Sequence, residues 1–187
     1  MSMNQQVADF CQRYFTDRRG SNCKKWDLSQ ELFGAPDLLG MWIADMEFKV
    51  PEAVQKVLHE RVDHGVFGYS YPCPEYYQAY IKWQQERADV EIEPDWVRFS
   101  PGVVSSFYWL VQILTQPGQG VMIMTPVYPP FHGAAKDTGR KLVDYQLQLR
   151  HNRYEIDFDA LEQQIVAEEV KLLIHCSPHN PTGRLWS

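Results

Sequence analysis

Three polar loops of this sequence each follow a short run of mainly apolar residues, and their residue types are suited to binding a ligand. The loops are "SPGVVSS" (100–106), "TPVYPPF" (125–131) and "SPHNPTG" (177–183). We predict β-strands before them, at 95–100, 121–124 and 171–177. Because open α/β sheets bind ligands outside the carboxyl ends of their strands, the sequence predicts one site built from all three loops.

The first loop has the composition of a phosphate site. Gly102 permits a tight turn, and the amides of Val103 and Val104 are predicted to lie at the N-terminus of a helix. Unpaired N–H groups and the helix dipole favour an anion at that position. The same residues also suit an ordinary strand-to-helix turn, so this loop alone does not identify a ligand.

The other two loops offer an aromatic ring and an amide. Tyr128 stands among prolines that stiffen the backbone, and a rigid ring can stack on a flat heterocycle or simply be half-buried. Asn180 also lies between prolines, and Gly183 permits the exit turn. The Asn180 amide can donate to a ring oxygen or accept from a bound amine. Together the three loops favour a flat ring that carries a phosphate.

Strands alternate with helices along most of the chain, which indicates a largely parallel, layered α/β sheet. A further strand is predicted at 141–147, and the predicted helices are 7–15, 51–65, 74–87, 103–116, 131–138 and 157–169. Pro51 and Pro74 suit a first helical turn, and Asp159 is the expected N-cap of the last helix. We expect residues 1–50 to form an N-terminal arm and part of a small domain. Residues 51–187 would be the first part of a large domain.

The bulk composition excludes several classes of protein. The 187 residues are 44% hydrophobic and carry a net charge of −6, without the clustered Lys and Arg of a nucleic-acid surface. No apolar run is long enough to span a membrane. The four cysteines form no CxxC pair, which favours reduced thiols in a cytoplasmic protein. His175 and His179 flank a proline-containing turn rather than one helix face, so no metal site is predicted.

Five motifs together resemble a known family. "NPTG" (180–183) is similar to the strand-ending motif of the fold-type-I pyridoxal-phosphate enzymes of the class I/II aminotransferase group. Within that group, the chain resembles the MalY/PatB-type cystathionine β-lyases. This narrower resemblance depends on "WIADMEF" (42–48), "FGYS" (67–70), "FSPGVV" (99–104), "TPVYPPF" (125–131) and "SPHNPTGRLW" (177–186). Glu47 and Leu185 depart from the family's usual Asp and Val. The resemblance implies the three-layer, mostly parallel large domain of that fold, incomplete at its C-terminus.

The resemblance also implies roles for particular residues. Tyr128 would stack on the pyridine ring of pyridoxal 5′-phosphate, and Asn180 would donate to its phenolic oxygen and lie beside the substrate. The turn at Gly102, with the amides of Val103 and Val104, would hold the phosphate. Three further residues belong to this expectation: Tyr69 would reach a neighbour's phosphate across a homodimer interface, and the backbone at Ala44 and Asp45 would approach the substrate carboxylate. The Asn180–Pro181 bond is expected to be cis.

The implied reaction is β-elimination from an amino-acid substrate such as L-cystathionine, which releases a thiol, pyruvate and ammonia. The family needs a lysine that binds the cofactor covalently, and its members carry that lysine after the "NPTG" loop. None of the eight lysines here lies in a comparable strand-end loop. We therefore expect this chain to be an N-terminal piece of a longer enzyme, poorly soluble and inactive alone. Two alternatives stay open: an aminotransferase of the same fold, and a non-catalytic binding or regulatory protein.

Overall fold

The computed structural model describes residues 2–186 and divides the chain into two compact units, Met1–Ser70 and Tyr71–Ser187. Each unit is built from elements that the local sequence explains. Among the described residues, no helix is long and apolar enough to cross a membrane.

The first unit is helical. Its helices are α1 (Met3–Tyr14), α2 (Lys24–Asp27), α3 (Ser29–Phe33) and α4 (Glu52–His64). The Ser2 hydroxyl caps α1 by accepting from the Gln5 amide, so this helix begins earlier than the sequence predicted. The predicted helix after Pro51 is confirmed, and Gly65 ends it in the left-handed conformation with φ of 71°. The short helices α2 and α3 were not predicted, since residues 16–50 show no helical periodicity.

The second unit contains the sheet. Its elements are α5 (Pro74–Ala88), α6 (Val103–Leu114), β1 (Gly120–Thr125), α7 (Pro130–Lys136), β2 (Lys141–Gln146), β3 (Gln148–Arg150), β4 (Arg153–Glu155), α8 (Phe158–Ala167) and β5 (Val170–Ile174). Strands β2, β1 and β5 form a parallel sheet in that order, with β1 in the centre. A central strand covered on both faces reads as a continuous apolar run, as "VMIM" does here.

Helices cover both faces of this sheet. Val121 on one face packs with Val111 of α6 and Ala134 of α7. Met122 on the opposite face packs with Leu161 of α8. The α/β fold with a parallel sheet, expected in three layers, is therefore confirmed.

Three local predictions were wrong or incomplete. The strand predicted at 95–100 is wrong: Pro94–Trp96 form a short 3₁₀ helix, and residues 97–100 pair with no strand among the described residues. The N-cap of α8 is Asp157 rather than Asp159, since the Asp157 carboxylate accepts from the Ala160 amide. The segment 148–155, for which no strand was predicted, is a β3–β4 hairpin. Its two loop residues, His151 and Asn152, both have positive φ, as tight hairpins require.

Candidate functional site

Two of the three predicted loops begin at neighbouring strand ends. Strands β1 and β5 run parallel in a register that pairs Ile123 with Ile174, so both end at the same edge of the sheet. The loops that follow are joined directly, because the His179 Nε2 lies 2.8 Å from the carbonyl oxygen of Pro126. The structure therefore brings "TPVYPPF" and "SPHNPTG" together at one edge.

The third loop approaches the same edge through α6. Phe107, one turn into α6, packs edge-on against Phe131 with 4.9 Å between ring centroids. Phe131 in turn belongs to the buried cluster of Ile123 and Val127, against which Cys176 packs. The first turn of α6 thus begins close to an apolar cluster that supports the ends of β1 and β5.

The turn before α6 leaves backbone donors unused. Among residues 2–186, the amides of Val103 and Val104 donate to no acceptor, and the first bond of α6 runs from Ser106 N to Gly102 O. Gly102 itself is extended, with φ of 166°, so the tight turn expected there is not what the structure has. A Cβ built at Gly102 meets no atom within 4 Å. The helix N-terminus is therefore open to an anion.

Tyr128 and Asn180 keep their functional groups accessible at the strand ends. Tyr128 is 39% exposed and lies 6.4 Å from Phe131, ring centroid to centroid. The Asn180 side chain is exposed and makes no hydrogen bond to any described residue, whereas its backbone amide donates to Cys176 Sγ at 3.4 Å. The predicted cis bond at Asn180–Pro181 and the turn at Gly183, with φ of 69°, are both confirmed.

These groups fit pyridoxal 5′-phosphate. Free backbone amides at a helix N-terminus suit the phosphate, an accessible tyrosine ring suits a pyridine, and an uncommitted amide suits the ring oxygen. The two amides of α6 and the Asn180 side chain make no hydrogen bond to a described residue, and the Tyr128 ring stays partly exposed beside Phe131. The amides of Val103 and Val104, together with Tyr128 and Asn180 at the strand ends, are thus groups that could hold an anionic aromatic cofactor.

The expected substrate-binding segment lies in the first unit and is held by charges. The cluster of Arg18, Lys25, Asp45 and Glu47, here called the charged cluster, surrounds it. Lys25 is buried and its Nζ lies 3.0 Å from Glu47 Oε1, while it also donates to the backbone oxygen of Asp45 at 2.8 Å. Arg18 donates to Asp45 Oδ2 at 2.6 Å. Asp45 is therefore held at its backbone by Lys25 and at its carboxylate by Arg18.

Two features of the charged cluster bear on its chemistry. Hydrogen bonds from Lys25 and from the Trp26 indole hold the pKa of the Glu47 carboxyl below its usual range, because both favour the ionised form. The second carboxylate oxygen of Asp45, Oδ1, is buried and has no hydrogen-bond partner among residues 2–186. Ala44 beside it is exposed. Tyr69, the other predicted residue of this unit, has a fully exposed side chain.

Sequence reasoning missed the residues that hold these segments in place. Lys25 stands in "KKWD", where nothing distinguishes it from the exposed Lys24. His179 was considered only as a metal ligand, yet it is 1% exposed and connects two loops. Trp186 donates from its indole to the backbone oxygen of Cys176 at 2.9 Å. Such contacts join residues from different segments of the sequence, so no local pattern predicts them.

Comparison with known proteins finds a matching family. The family described as aminotransferase class I and II matches residues 36–187. The chain is 43% identical to cystathionine beta-lyase PatB of Bacillus subtilis and 33% identical to protein MalY of Escherichia coli, in each case over 91% of this chain and 44% of the relative. The chain thus spans less than half the length of these relatives.

A solved structure shows the same fold in three dimensions. Cystalysin from Treponema denticola, which contains a pyridoxal 5′-phosphate cofactor, superposes with a TM-score of 0.82 at 36% identity, covering 93% of this chain and 45% of cystalysin. The predicted fold type I is therefore confirmed. On the match of residues 36–187 and these likenesses, the chain belongs to the class I and II aminotransferase family.

Proposed function

We propose that the protein is a pyridoxal-phosphate-dependent carbon–sulfur β-lyase that cleaves L-cystathionine or a related S-substituted cysteine. Cystathionine and water would give homocysteine, pyruvate and ammonia. The main observation in support is that the loops bearing Tyr128 and Asn180 meet at one sheet edge through the His179–Pro126 contact. The named lyase PatB, at 43% identity, supports β-elimination as the reaction at that edge.

The proposal gives the cofactor three contacts from this chain. Gly102, with the amides of Val103 and Val104, would hold the phosphate; Tyr128 would stack on the ring; and Asn180 would donate to the ring oxygen. When bound, pyridoxal phosphate supplies the electron sink that makes the Cα proton removable and lets a thiol leave from Cβ. The role of this chain is to orient the ring and to hold its phosphate away from the reacting atoms.

Substrate binding would involve the first unit. The backbone at Ala44 and Asp45 would approach the substrate carboxylate, with Asp45 held by Lys25 and Arg18. Tyr69, fully exposed, would reach the phosphate of a second copy in a homodimer. The proposal assigns no lysine of these 187 residues to the covalent cofactor link, and the buried Lys25 is already paired with Glu47.

The experiment is a pyruvate assay on protein expressed from its whole reading frame. With L-cystathionine and no added keto acid, we expect pyruvate and a free thiol to appear in equal amounts and to require pyridoxal phosphate. The Asn180→Ala variant should lose most of this activity, while Asn152→Ala, at the exposed hairpin turn, should retain it. Pyruvate release that is unaffected by loss of Asn180 would contradict the assigned site.

The second candidate function is amino-group transfer. The matching family is described as aminotransferase class I and II, and the same cofactor contacts would serve an aminotransferase. An aminotransferase would consume a keto acid acceptor and leave the carbon–sulfur bond intact, so thiol release separates the two activities. Cofactor binding with neither product would instead favour the non-catalytic alternative.

A further inference from the structure

We propose that His179 is a positioning residue: it joins the ends of β1 and β5 and thereby sets the placement of Asn180 relative to Tyr128. The inference deepens the proposed function, since Asn180 and Tyr128 are two of the three cofactor contacts proposed for that site. His179 itself is assigned no contact with cofactor or substrate.

The main evidence for the proposal is the geometry of the His179 ring. His179 is 1% exposed, and its Nε2 lies 2.8 Å from Pro126 O, 53 residues away in sequence. A carbonyl oxygen only accepts hydrogen bonds, so Nε2 must carry the proton and donate. The other ring nitrogen, Nδ1, is buried without a hydrogen-bond partner among residues 2–186. A single donated bond therefore connects the two loops on the histidine side.

The ring is held in that orientation by its surroundings. The Trp186 ring packs edge-on against it, with 5.5 Å between centroids and an interplanar angle of 88°. The Trp186 indole is itself anchored to Cys176 O. On the backbone, His179 N donates to Arg184 O and Gly183 N donates to His179 O, both at 2.7 Å. The backbone that carries the ring is thus fixed by hydrogen bonds, and Trp186 packs against the ring itself.

The residues on either side of this bond are those that would meet the cofactor. Asn180 follows His179 directly, and Tyr128 follows Pro126 by two residues. Because the Asn180 side chain has no hydrogen bond to any described residue, its placement depends on the backbone that carries it. The His179–Pro126 bond is the direct side-chain link between that backbone and the loop of Tyr128.

The test compares substitutions that differ in where they place a donor. His179→Gln keeps an amide donor at about the reach of Nε2, whereas His179→Asn holds its amide closer to the backbone and cannot reach Pro126 O. His179→Leu removes the donor and keeps an apolar side chain against Trp186. All three are made in the protein expressed from its whole reading frame.

Hydrogen exchange is the readout that does not depend on the cofactor. For His179→Asn and His179→Leu, we expect amides in both loops, 125–131 and 177–184, to exchange about tenfold faster, because the shared bond is lost. His179→Gln should stay near the wild type. Faster exchange confined to 177–184, or no rescue by Gln, would overturn the proposal.

The second readout concerns the bound cofactor. In His179→Asn and His179→Leu we expect kcat to fall by about 100-fold with little change in KM, the cost of a misplaced contact rather than of lost substrate binding. The pH at which the visible absorption of the bound cofactor changes should also shift, and Gln should restore both. If the absorption of the cofactor bound to folded His179→Asn protein changes at the same pH as in the wild type, the positioning role is overturned. If the wild type binds no cofactor, but both loops still exchange faster together in His179→Asn and His179→Leu, only the proposed function is refuted.

Discussion

Two regions of the molecule place candidate binding residues, and they do so by opposite means. The segment 42–48 is fixed by charges: Lys25 and Arg18 contact Asp45 and Glu47 at distances between 2.6 and 3.8 Å. The strand ends around Tyr128 and Asn180 are fixed by apolar packing and by hydrogen bonds from His179 and Trp186 to backbone oxygens.

Because of this difference, the stability of the two regions should depend on different variables. A paired carboxylate stabilises the fold only while it is ionised, so the charged cluster should respond to pH. An apolar cluster does not titrate, and its strength depends on packing, so the strand ends should respond to changes of side-chain volume. Substitutions in each region should therefore give effects of different size and of different character.

The largest expected effect is in the apolar support of the strand ends. Ile123 is fully buried between Val127 and Phe131, so Ile123→Ala leaves a cavity and should lower the free energy of unfolding by about 3–4 kcal/mol. Ile113→Ala removes the same atoms from a side chain that is 73% exposed and is the matched control. Chemical denaturation at pH 7 measures both. Equal losses would mean that the cluster does not support this edge as described.

A smaller loss is expected when the charged cluster is broken. Lys25→Met should lower the free energy of unfolding by about 2 kcal/mol, because Glu47 loses its nearest cation and Asp45 O loses its donor. Lys24→Met, at the exposed neighbour, should change it by less than about 0.5 kcal/mol. Indistinguishable denaturation curves for the two variants would show that burial of Lys25 contributes nothing to stability.

The same contrast explains what the sequence could and could not predict. Strand β1 and the helices after Pro51 and Pro74 were predictable, because apolar runs and first-turn prolines are local signals. The strand predicted at 95–100 failed, since a strand also needs a partner and residues 97–100 pair with none that is described. The structural roles of Lys25 and His179 could not be predicted for the same reason, because the residues that they contact lie 20 or more positions away in sequence.

The pH dependence should separate the regions without a change of volume. The pKa of Glu47 is held below its ordinary 4.5 by Lys25 and Trp26, so its stabilising contribution is present above that value and is lost as pH falls through the lowered pKa. The Glu47→Gln variant should be less stable at neutral pH and show a shallower loss of stability on acidification. Some slope will remain, because Asp27 and Asp157 also have lowered pKa values.

The control for this titration is Glu31→Gln, in the same unit. Glu31 is exposed and has no ion pair among the described residues, so the slope of stability against pH should stay that of the wild type. Denaturation midpoints measured from neutral pH down to about pH 3 give the comparison. A Glu47→Gln slope equal to that of Glu31→Gln would remove the basis for calling the segment 42–48 charge-dependent.

The smallest effect on stability is expected at Gly102. Its extended φ of 166° suits any residue, and an added Cβ meets no atom within 4 Å, so Gly102→Ala should change the free energy of unfolding by less than about 0.5 kcal/mol. Affinity for pyridoxal 5′-phosphate should nevertheless fall by about tenfold, because the methyl group would project beside the free amides of α6.

Pyridoxal without its phosphate is the control ligand for Gly102→Ala. If the open N-terminus of α6 receives the phosphate, the variant should bind pyridoxal as the wild type does and lose affinity only for the phosphorylated form. Fluorescence titration of both ligands against both proteins separates the cases. Equal losses for the two ligands would place the methyl group against the ring instead. Because the fold itself leaves the space at Gly102 open, any binding defect there reports on the ligand rather than on folding.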